Sequence, residues 1–313
     1  MEYTFKPFSI ELKSDFKHIY EATHNTELPN DWFIKKFNTN VFGAENIGFM
    51  AYSESGEPAA YYGIFPIMTV HLGQKILAAQ SGETMTHPMH RNKGLFKILF
   101  QKTAELAKTS GIKFIFGFPN QNSFPGFIKF GWSNPFNTHQ FTIAVPENYS
   151  TRILRKLAPS RLLSKRKNRL EPIMVKGNKN LPAFITSDKT SIHIERNLTY
   201  FDYKCYSDNF FIRTTTFYAW VKIEYECLYI GDILPYSKDF SPKEMIPELK
   251  KLAKKLLLPC IRFYCNPSHP YDSFFAEHAA AKPSLPFIVY KTDLNFELSE
   301  ANIEYTSGDF DTF

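Results

Sequence analysis

Hydrophobic and polar positions change their period along the first half of the chain. Apolar side chains alternate with polar ones over Ile47–Tyr52 and Ala59–Val70, which predicts two strands joined by the turn at Glu54–Pro58. Beyond His87-Pro88, apolar residues recur at helical spacing as far as Ser110-Gly111, which predicts a long amphipathic helix. The same patterns predict helices at Asp15–Thr23, Asp31–Phe37 and Pro125–Phe130 and strands at Lys75–Thr86, Lys113–Phe118 and Gln140–Val145.

The second half repeats this order of elements, so we interpret the chain as an α/β protein (a mixed α+β sheet) built from two tandem copies of one fold. No glycine occurs between Asp232 and Ser307, so the second copy is expected to lack a phosphate-binding turn and to be degenerate. We predict a first domain over 1–147, a basic linker over 148–172 and a second domain over 173–313, with a loose acidic tail at Tyr305–Phe313. The predicted elements are strands at Phe210–Thr216, Phe217–Lys222 and Glu224–Ile233, a helix at Pro242–Leu258, a strand at Cys260–Cys265, a short helix at Tyr271–Ala280 and a strand at Phe287–Thr292.

Positive charge is concentrated between Asn148 and Leu170. This stretch holds eight basic residues and no acid, and removing them from the net charge of +6 leaves the rest of the chain at −2. The basicity is therefore local and does not predict a nucleic-acid partner. We interpret the stretch as a solvated linker. The alternatives are an amphipathic helix over 152–169, interrupted at Pro159, that makes weak contact with an anionic membrane surface, or attraction of an anionic acceptor such as a nucleotide sugar.

The composition, with 43% hydrophobic and 16% aromatic residues, is that of a globular protein. No apolar run approaches the ~20 residues needed to cross a bilayer, and Met1–Ser14 lacks the apolar stretch of a signal peptide. The cysteines lie in apolar or aromatic strings, which predicts reduced core residues of a cytoplasmic protein and no metal site. There are four of them: Cys205, Cys227, Cys260 and Cys265.

The segment from Ser81 to Phe96 holds the candidate chemistry. A strand enters a tight turn that opens directly into a helix, which places unpaired backbone N–H groups and the positive end of the helix dipole at one point. Gly94 allows close backbone approach, and Arg91 and Lys93 add positive charge. From the residues alone we expect a pyrophosphate or similar anion there, with an ordinary charged turn as the alternative.

The same segment resembles the cofactor motif of the GCN5-related N-acetyltransferase (GNAT) superfamily, an Arg/Gln-x-x-Gly-x-Gly/Ala pattern after a strand. Arg91–Phe96 matches it except at the final small position, where Phe96 stands. Three later features match too, over a resemblance that covers roughly residues 5–146. They are a buried strand, an asparagine after it and an aromatic-x-x-x-Gly-aromatic string, found at Phe114–Phe118, Asn120 and Asn122, and Gly126–Trp132.

The resemblance implies acetyl-CoA as cosubstrate, held in a wedge between two strands that separate. The backbone of Thr84–Thr86 would pair with the pantetheine amides, and this strand would diverge from the one that ends at Phe118. The turn would hold the pyrophosphate, and Asn122 and Ser123 would lie near the thioester. The implied cofactor-binding residues are Thr84, Met85, Thr86, Arg91, Asn92, Lys93, Gly94, Leu95, Phe96, Asn122 and Ser123.

Catalytic groups are less clearly indicated, because Phe127 stands where many members of the superfamily have a proton-donating tyrosine. For the general base we favour Glu83, since a carboxylate there would take a proton from an incoming ammonium; the alternative is a carboxylate that only bonds its neighbours. His87 and His90 are weaker candidates, His87 being interpreted as structural. The terminal carboxylate of Phe313 is a third candidate base.

We therefore predict an N-acetyltransferase that acts on a primary amine of a small molecule, with an amino sugar or a surface-polysaccharide precursor as the acceptors considered. A tandem pair with one active site resembles the Eis-like acetyltransferases, although a third, sterol-carrier-like domain does not fit in this length. One alternative is a peptidyl transferase resembling the FemABX group, which the turn at Arg91–Gly94 disfavours. The other is a non-catalytic coenzyme A-binding module, suggested by Phe96 and Phe127.

Overall fold

The computed structural model describes residues 2–45, 47–175, 181, 190–237 and 239–313. Contacts divide the chain into two units, and neither unit is one continuous stretch. The units therefore do not coincide with boundaries at 147 and 173, and the assignment of a second copy of the fold to 173–313 stays a prediction. Unit 1 comprises Met1–Phe136, Thr190–Glu195 and Leu285–Ile303, and unit 2 comprises Asn137–Lys189, Arg196–Ser284 and Glu304–Phe313.

The elements predicted from the sequence are confirmed, most with ends shifted by a few residues; the strands predicted at Gln140–Val145 and Phe287–Thr292 begin earlier, at Ser133 and Lys282. The strands are β1 (Thr4–Pro7), β2 (Ile47–Tyr52), β3 (Pro58–His71), β4 (Gln74–Thr86), β5 (Phe114–Gly117), β6 (Ser133–Ala144), β7 (Ile192–Ile194), β8 (Asn209–Arg213), β9 (Phe217–Glu224), β10 (Cys227–Pro235), β11 (Cys260–Cys265), β12 (Lys282–Lys291) and β13 (Ile303–Glu304). The helices are α1 (Lys13–His24), α2 (Asn30–Phe37), α3 (Leu95–Thr109), α4 (Phe124–Lys129), α5 (Tyr149–Leu157), α6 (Pro159–Leu170), α7 (Leu198–Lys204), α8 (Met245–Lys255) and α9 (Asp272–Ala276).

The basic stretch, which we interpreted as a solvated linker, forms the helices α5 and α6. The side chain of Asn148 accepts the N–H of Thr151 at 2.9 Å and caps α5. Pro159 lies in the first turn of α6, where its missing N–H costs no helical hydrogen bond, and so α5 ends before it. The interruption expected at Pro159 is therefore confirmed, and it separates two helices of unit 2.

Each unit holds a sheet with the same succession of pairings. In unit 1 the order is β1-β2-β3-β4-β5-β12, in which β4 and β5 are parallel and the other neighbours antiparallel. In unit 2 the order is β8-β9-β10-β11-β6, in which β10 and β11 are parallel. The last strand of each sheet comes from the other half of the sequence, since β12 pairs with β5 and β6 pairs with β11.

This exchange differs from the sequence prediction, which closed the first domain with Gln140–Val145 and the second with Phe287–Thr292. Both segments are strands, so the local pattern was correct. Alternation of apolar residues specifies a strand and its buried face but does not select between two similar partner strands. The partners are therefore visible only in the structure.

Unit 1 buries side chains on both faces of its sheet, and the two faces meet different helices. We call them the α3 face, covered by α3 and α4, and the α1 face, covered by α1 and α2. Residues of the α3 face include Tyr62, Ala79, Leu95, Leu99, Phe100, Ile115 and Phe127. Residues of the α1 face include Phe16, Ile19, Phe33, Phe37, Tyr61, Phe65 and Met85.

The C-terminal segment is buried, and the expectation of a loose acidic tail is wrong. Thr306, Ser307 and Asp309 are at most 1% exposed. The carboxylate of Asp309 accepts the hydroxyl of Tyr200 at 3.0 Å and forms an ion pair with Arg196. Charged residues can be buried when they are paired, so polarity alone misrepresented this segment.

Cys227 and Cys260 form a disulfide, so the prediction that all cysteines are reduced is wrong for this pair. The two residues begin the adjacent parallel strands β10 and β11 and lie in register, with their Cα atoms 4.9 Å apart. That separation lies within the range a disulfide spans. No helix in the described part of the chain is long and apolar enough to cross a membrane.

Candidate active site

Strand β4 leaves its neighbour β5 halfway along its length. The two strands pair at Ala79↔Ile115 and Gln80↔Phe116, while β4 continues to Thr86 against β3. One extra residue in β4 shifts the register with β3, and within this bulge Glu83 has a φ of +54°. Bulges increase the local twist of a strand. Pairing between β4 and β5 therefore ends at Gln80, and β4 continues beyond it to Thr86 with β3 as its neighbour.

The turn between β4 and α3 is open to solvent and positively charged. Asn92 and Gly94 have φ angles of +62° and +74°, in the left-handed region that favours glycine and asparagine. A Cβ added at Gly94 would meet no atom within 4 Å. Among the described residues, no acceptor is recorded for the N–H groups of Leu95 and Phe96 at the start of α3. The turn thus offers backbone donors and a helix N-terminus to an anion.

The side chain of Phe96 faces away from this turn. Its ring contacts Phe127 and Phe130 on α4, with centroids 5.0 and 5.2 Å apart, and lies 5.8 Å from that of Tyr62. A Cβ at Gly126 would come within 2.9 Å of the Phe96 ring, so α4 packs closely on it. Phe96, which replaces the small residue of the motif, therefore packs in the core of the α3 face. Its side chain does not cover the backbone on the outer side of the turn.

Glu83, the predicted base, lies on the α1 face in an ion pair. Its Oε1 is 2.5 Å from the Nζ of Lys36 on α2, and the Lys36 side chain is 2% exposed. The Nζ of Lys36 also lies 4.9 Å from the ring centroid of Trp32. Burial, together with the negative charge of Glu83, raises the pKa of Tyr20, which places this phenol beside the pair. Sequence reasoning missed Lys36, because nothing local links positions 36 and 83.

A pair of hydroxyls lies on the opposite, α3 face. The fully buried Tyr62 bonds Ser81 on β4, with 3.0 Å between the two hydroxyl oxygens. Burial raises the pKa of Tyr62 above its usual value, so the phenol stays protonated. Ser81 lies at the point of separation: its Cβ is 3.4 Å from a Cβ placed on Gly117. Phe127 is packed in the core beside this pair. Sequence reasoning missed the pair, and a tyrosine on the buried face of a predicted strand was its only signal.

The loop after β5 is ordered by an asparagine. The Oδ1 of Asn120 accepts the N–H groups of Asn122 and Ser123 at 2.9 and 3.1 Å, which starts α4. Asn122 is exposed and Ser123 partly exposed. Asn122 and Ser123, the two residues predicted to lie near the thioester, are therefore accessible. Asn120 instead fixes the conformation of the loop.

The two histidines of the turn take part in local structure. The Nδ1 of His87 accepts the N–H of Met89 at 3.3 Å, and His90 Nδ1 lies 3.1 Å from the Tyr3 hydroxyl. Burial and the neighbouring His18 lower the pKa of His87 below its usual value, which favours the neutral ring. These contacts agree with the structural interpretation of His87.

Phe313, the third candidate base, belongs to unit 2, whereas the turn belongs to unit 1. Its ring is 4% exposed and packs 5.0 Å from that of Trp220. The mobile tail on which its catalytic role depended is absent, because the segment is anchored. The remaining predicted residues, from Thr84 to Thr86 and from Arg91 to Phe96, lie together along the diverging end of β4 and the start of α3.

Comparison with known proteins agrees with this geometry. Residues 14–134 match the acetyltransferase (GNAT) domain model, and this range contains β4, the turn and α3. No curated protein sequence matches the chain.

Solved structures resemble the chain over most of its length at low identity. A probable N-acyltransferase from Enterococcus faecalis is 12% identical with a TM-score of 0.58, over 94% of this chain and 74% of that one. Eis1 from Mycobacterium abscessus is 11% identical with a TM-score of 0.53, over 94% and 74%. A fungal GCN5-related glucosamine N-acetyltransferase region, part of a multi-domain β-N-acetylglucosaminidase, is 10% identical with a TM-score of 0.52, over 92% and 38%.

At these identities the structures show a shared fold, whereas the domain model assigns the family of the N-terminal region. The separated strands, the open turn and the matched range all lie in unit 1. Residues 14–134 therefore match a GNAT acetyltransferase domain, and the fold of the chain is similar to that of Eis1 from Mycobacterium abscessus.

Proposed function

We propose that the chain transfers the acetyl group of acetyl-CoA to a primary amine of a small molecule. The observation that carries the proposal is the separation of β4 from β5 directly before the open, cationic turn at Arg91–Gly94. A strand edge without a partner offers amide hydrogen bonds, and the helix start beside it offers an anion site. A ligand with both amides and a pyrophosphate fits that combination.

On the donor side, the backbone of Thr84–Thr86 would bind the pantetheine arm, and the turn with the first N–H groups of α3 would bind the pyrophosphate. The positive φ of Gly94, with open space around it, allows close approach to the backbone. Asn122 and Ser123 are accessible beside the end of β5. Acetyl-CoA would supply the acetyl thioester when bound, and the protein would supply positioning and proton transfer.

On the acceptor side we assign Glu83 as the general base. Lys36 holds Oε1, which fixes the carboxylate, and Oε2 would take a proton from the incoming ammonium, directly or through water, so that the neutral amine attacks the thioester. The Trp32 ring lies 4.9 Å from the Lys36 Nζ, and the Tyr20 ring packs on Trp32 with centroids 5.7 Å apart, so aromatic rings lie beside the ion pair. Aromatic faces next to a carboxylate suit a sugar ring that carries an amine, so an amino sugar, free or as a surface-polysaccharide precursor, is the proposed acceptor. The fungal glucosamine N-acetyltransferase region of similar fold supports this choice.

For the leaving thiolate we assign Ser81 as the proton donor, resupplied by Tyr62. The N–C bond forms as the C–S bond breaks; the amine proton passes to Glu83 and the sulfur takes the Ser81 proton. Because a thiolate leaves readily, this donor is expected to contribute less to the rate than the base.

The test is thiol release from acetyl-CoA in the presence of glucosamine and a panel of other primary amines, with the product identified by mass. Glu83→Gln is expected to lower kcat by about 100-fold or more, and Tyr62→Phe by about 10-fold, with little change in the KM for acetyl-CoA. Glu57→Gln, which alters a carboxylate in the β2–β3 turn, serves as the matched control. Tight coenzyme A binding without turnover of any amine would instead favour a non-catalytic module.

A further inference from the structure

Helices α5 and α6 present an apolar ridge to solvent. Tyr149, Ile153 and Leu157 are spaced four residues apart, so they share one face of α5. Tyr149 is 79% exposed and Leu157 80%, and Leu163 on α6 is also exposed. Single exposed apolar residues are common, but a row of them on one helix face marks an interaction surface.

The eight basic residues of these helices fall into two groups. Arg155 and Arg166 face inward: both form ion pairs with Glu226, and both donate to backbone carbonyls at Leu256 or Leu257. These two arginines attach the helices to the body of unit 2. The other six are exposed, although Arg169 also donates to the backbone carbonyl of Lys255 at 3.1 Å. They are Arg152, Lys156, Arg161, Lys165, Lys167 and Arg169.

A cavity of about 530 Å³ lies at the base of the helices, within unit 2. Its walls include three cationic side chains, Lys165, Arg169 and Lys254. Glu147, the acid in the wall, is paired with Arg155. The net positive lining suits a phosphate-bearing headgroup, and it lies next to the exposed ridge.

We propose that α5 and α6 form a docking surface for an anionic lipid bilayer, with the apolar ridge inserted at the headgroup level and the six exposed cations against the lipid phosphates. An amphipathic helix with cations beside an apolar row has the pattern of interfacial membrane binding. A nucleic acid or an acidic protein would contact the cations, but such a partner would not account for the exposed apolar row of Tyr149, Ile153 and Leu157. The proposal is independent of the acyl-transfer chemistry proposed above.

The experiment is flotation of the full chain with vesicles of phosphatidylcholine alone and with about a third phosphatidylserine. We expect binding to the anionic vesicles only, weakened by salt. The double variant Ile153→Glu with Leu157→Glu is expected to lose more than about 10-fold in affinity. Leu294→Glu, which places the same charge on an exposed leucine of unit 1, is the matched control and should bind like wild type.

Thermal midpoints of the variants provide a check on folding, since the substituted side chains are solvent-exposed. Equal binding to neutral and anionic vesicles, or wild-type binding by the double variant, would overturn the proposal. So would absence of vesicle binding; if the chain then binds a single-stranded oligonucleotide and the double variant retains that binding, the surface would be assigned to nucleic acid.

Discussion

The two units have the same strand order, but the space beside the parallel strands is open in unit 1 and occupied in unit 2. In unit 1, β4 and β5 pair at two positions and then diverge beside an open turn. In unit 2, β10 and β11 pair at four positions, and the chain's own C-terminal segment occupies the space beyond them. The Oγ1 of Thr306 donates to the Gly231 carbonyl on β10 at 2.5 Å, and the Ser307 Oγ accepts the Tyr264 N–H on β11 at 2.9 Å.

This difference explains why we expect one ligand site in two similar folds. The segment Thr306–Phe310 makes in unit 2 the kind of strand-edge hydrogen bonds that a pantetheine arm would make in unit 1. The ring of Phe313 would lie within 2.4 Å of a Cβ on Gly231, so no space remains there for a ligand. A one-turn 3-10 helix, Pro242–Glu244, precedes α8, where a glycine turn precedes α3. The same strand order is thus closed by the chain itself in unit 2 and carries the proposed ligand site in unit 1.

The largest effect on stability is expected from a substitution that releases the C-terminal segment of unit 2. Asp309→Ala removes one carboxylate of the buried group formed with Arg196 and Asp232. Loss of a buried ion-pair partner typically costs about 3–5 kcal/mol of unfolding free energy. Denaturant unfolding measures this, and Asp293→Asn, at a partly exposed ion pair of unit 1, is the control and should unfold like wild type. Coenzyme A affinity should survive in the folded Asp309→Ala protein; its loss without destabilisation would place the segment in the cofactor site.

The second largest effect is expected on coenzyme A binding at the turn of unit 1. Gly94→Glu forces a left-handed backbone onto a side chain that disfavours it and puts a negative charge where the pyrophosphate would bind. Thermal-shift titration should lose the stabilisation of about 2.7 kcal/mol that coenzyme A gives at about 100 times its Kd. Gly94→Asn, which tolerates positive φ and adds no charge, is the control for backbone strain. A normal shift in Gly94→Glu would show that the turn does not hold the ligand.

The smallest effect is a pH dependence of the unfolding free energy that arises from His269 in unit 2. Burial and the charge of Arg196 lower the pKa of His269 to about 3, although Glu304 lies 3.7 Å from its Nε2. The unfolded chain binds this proton at about pH 6.5 and the folded chain does not, so the unfolding free energy falls as pH drops, by about 1 kcal/mol between pH 6.5 and 5.5. Asp232, whose pKa burial raises to about 6, has the opposite slope. Comparing wild type with His269→Asn isolates the histidine; equal slopes would contradict its buried neutral state.

The sequence predicts the parts of this comparison that local patterns determine. The strands and helices follow from apolar periodicity, and the open turn follows from Gly94 with its neighbouring cations. The absence of glycine between Asp232 and Ser307 is the reason for expecting no phosphate-binding turn in the second half, and this stays a prediction. These features depend on residues close together in the chain.

The features that the sequence did not predict depend on pairs far apart in the chain. They include the exchange of β6 and β12, the contact of Lys36 with Glu83, and the bond between Cys227 and Cys260. The buried acidic tail belongs with them, because Asp309 is stabilised by Arg196, more than a hundred positions earlier. Such partners are selected by tertiary packing, and a single sequence does not display it.

The most direct test of the central claim is the stoichiometry of coenzyme A binding by isothermal titration calorimetry of the wild-type chain. The account predicts one site per chain, because unit 1 is open beside β4 and unit 2 is closed by Thr306–Phe310. Two sites per chain would contradict the closure of unit 2, and no binding would contradict the assignment of unit 1.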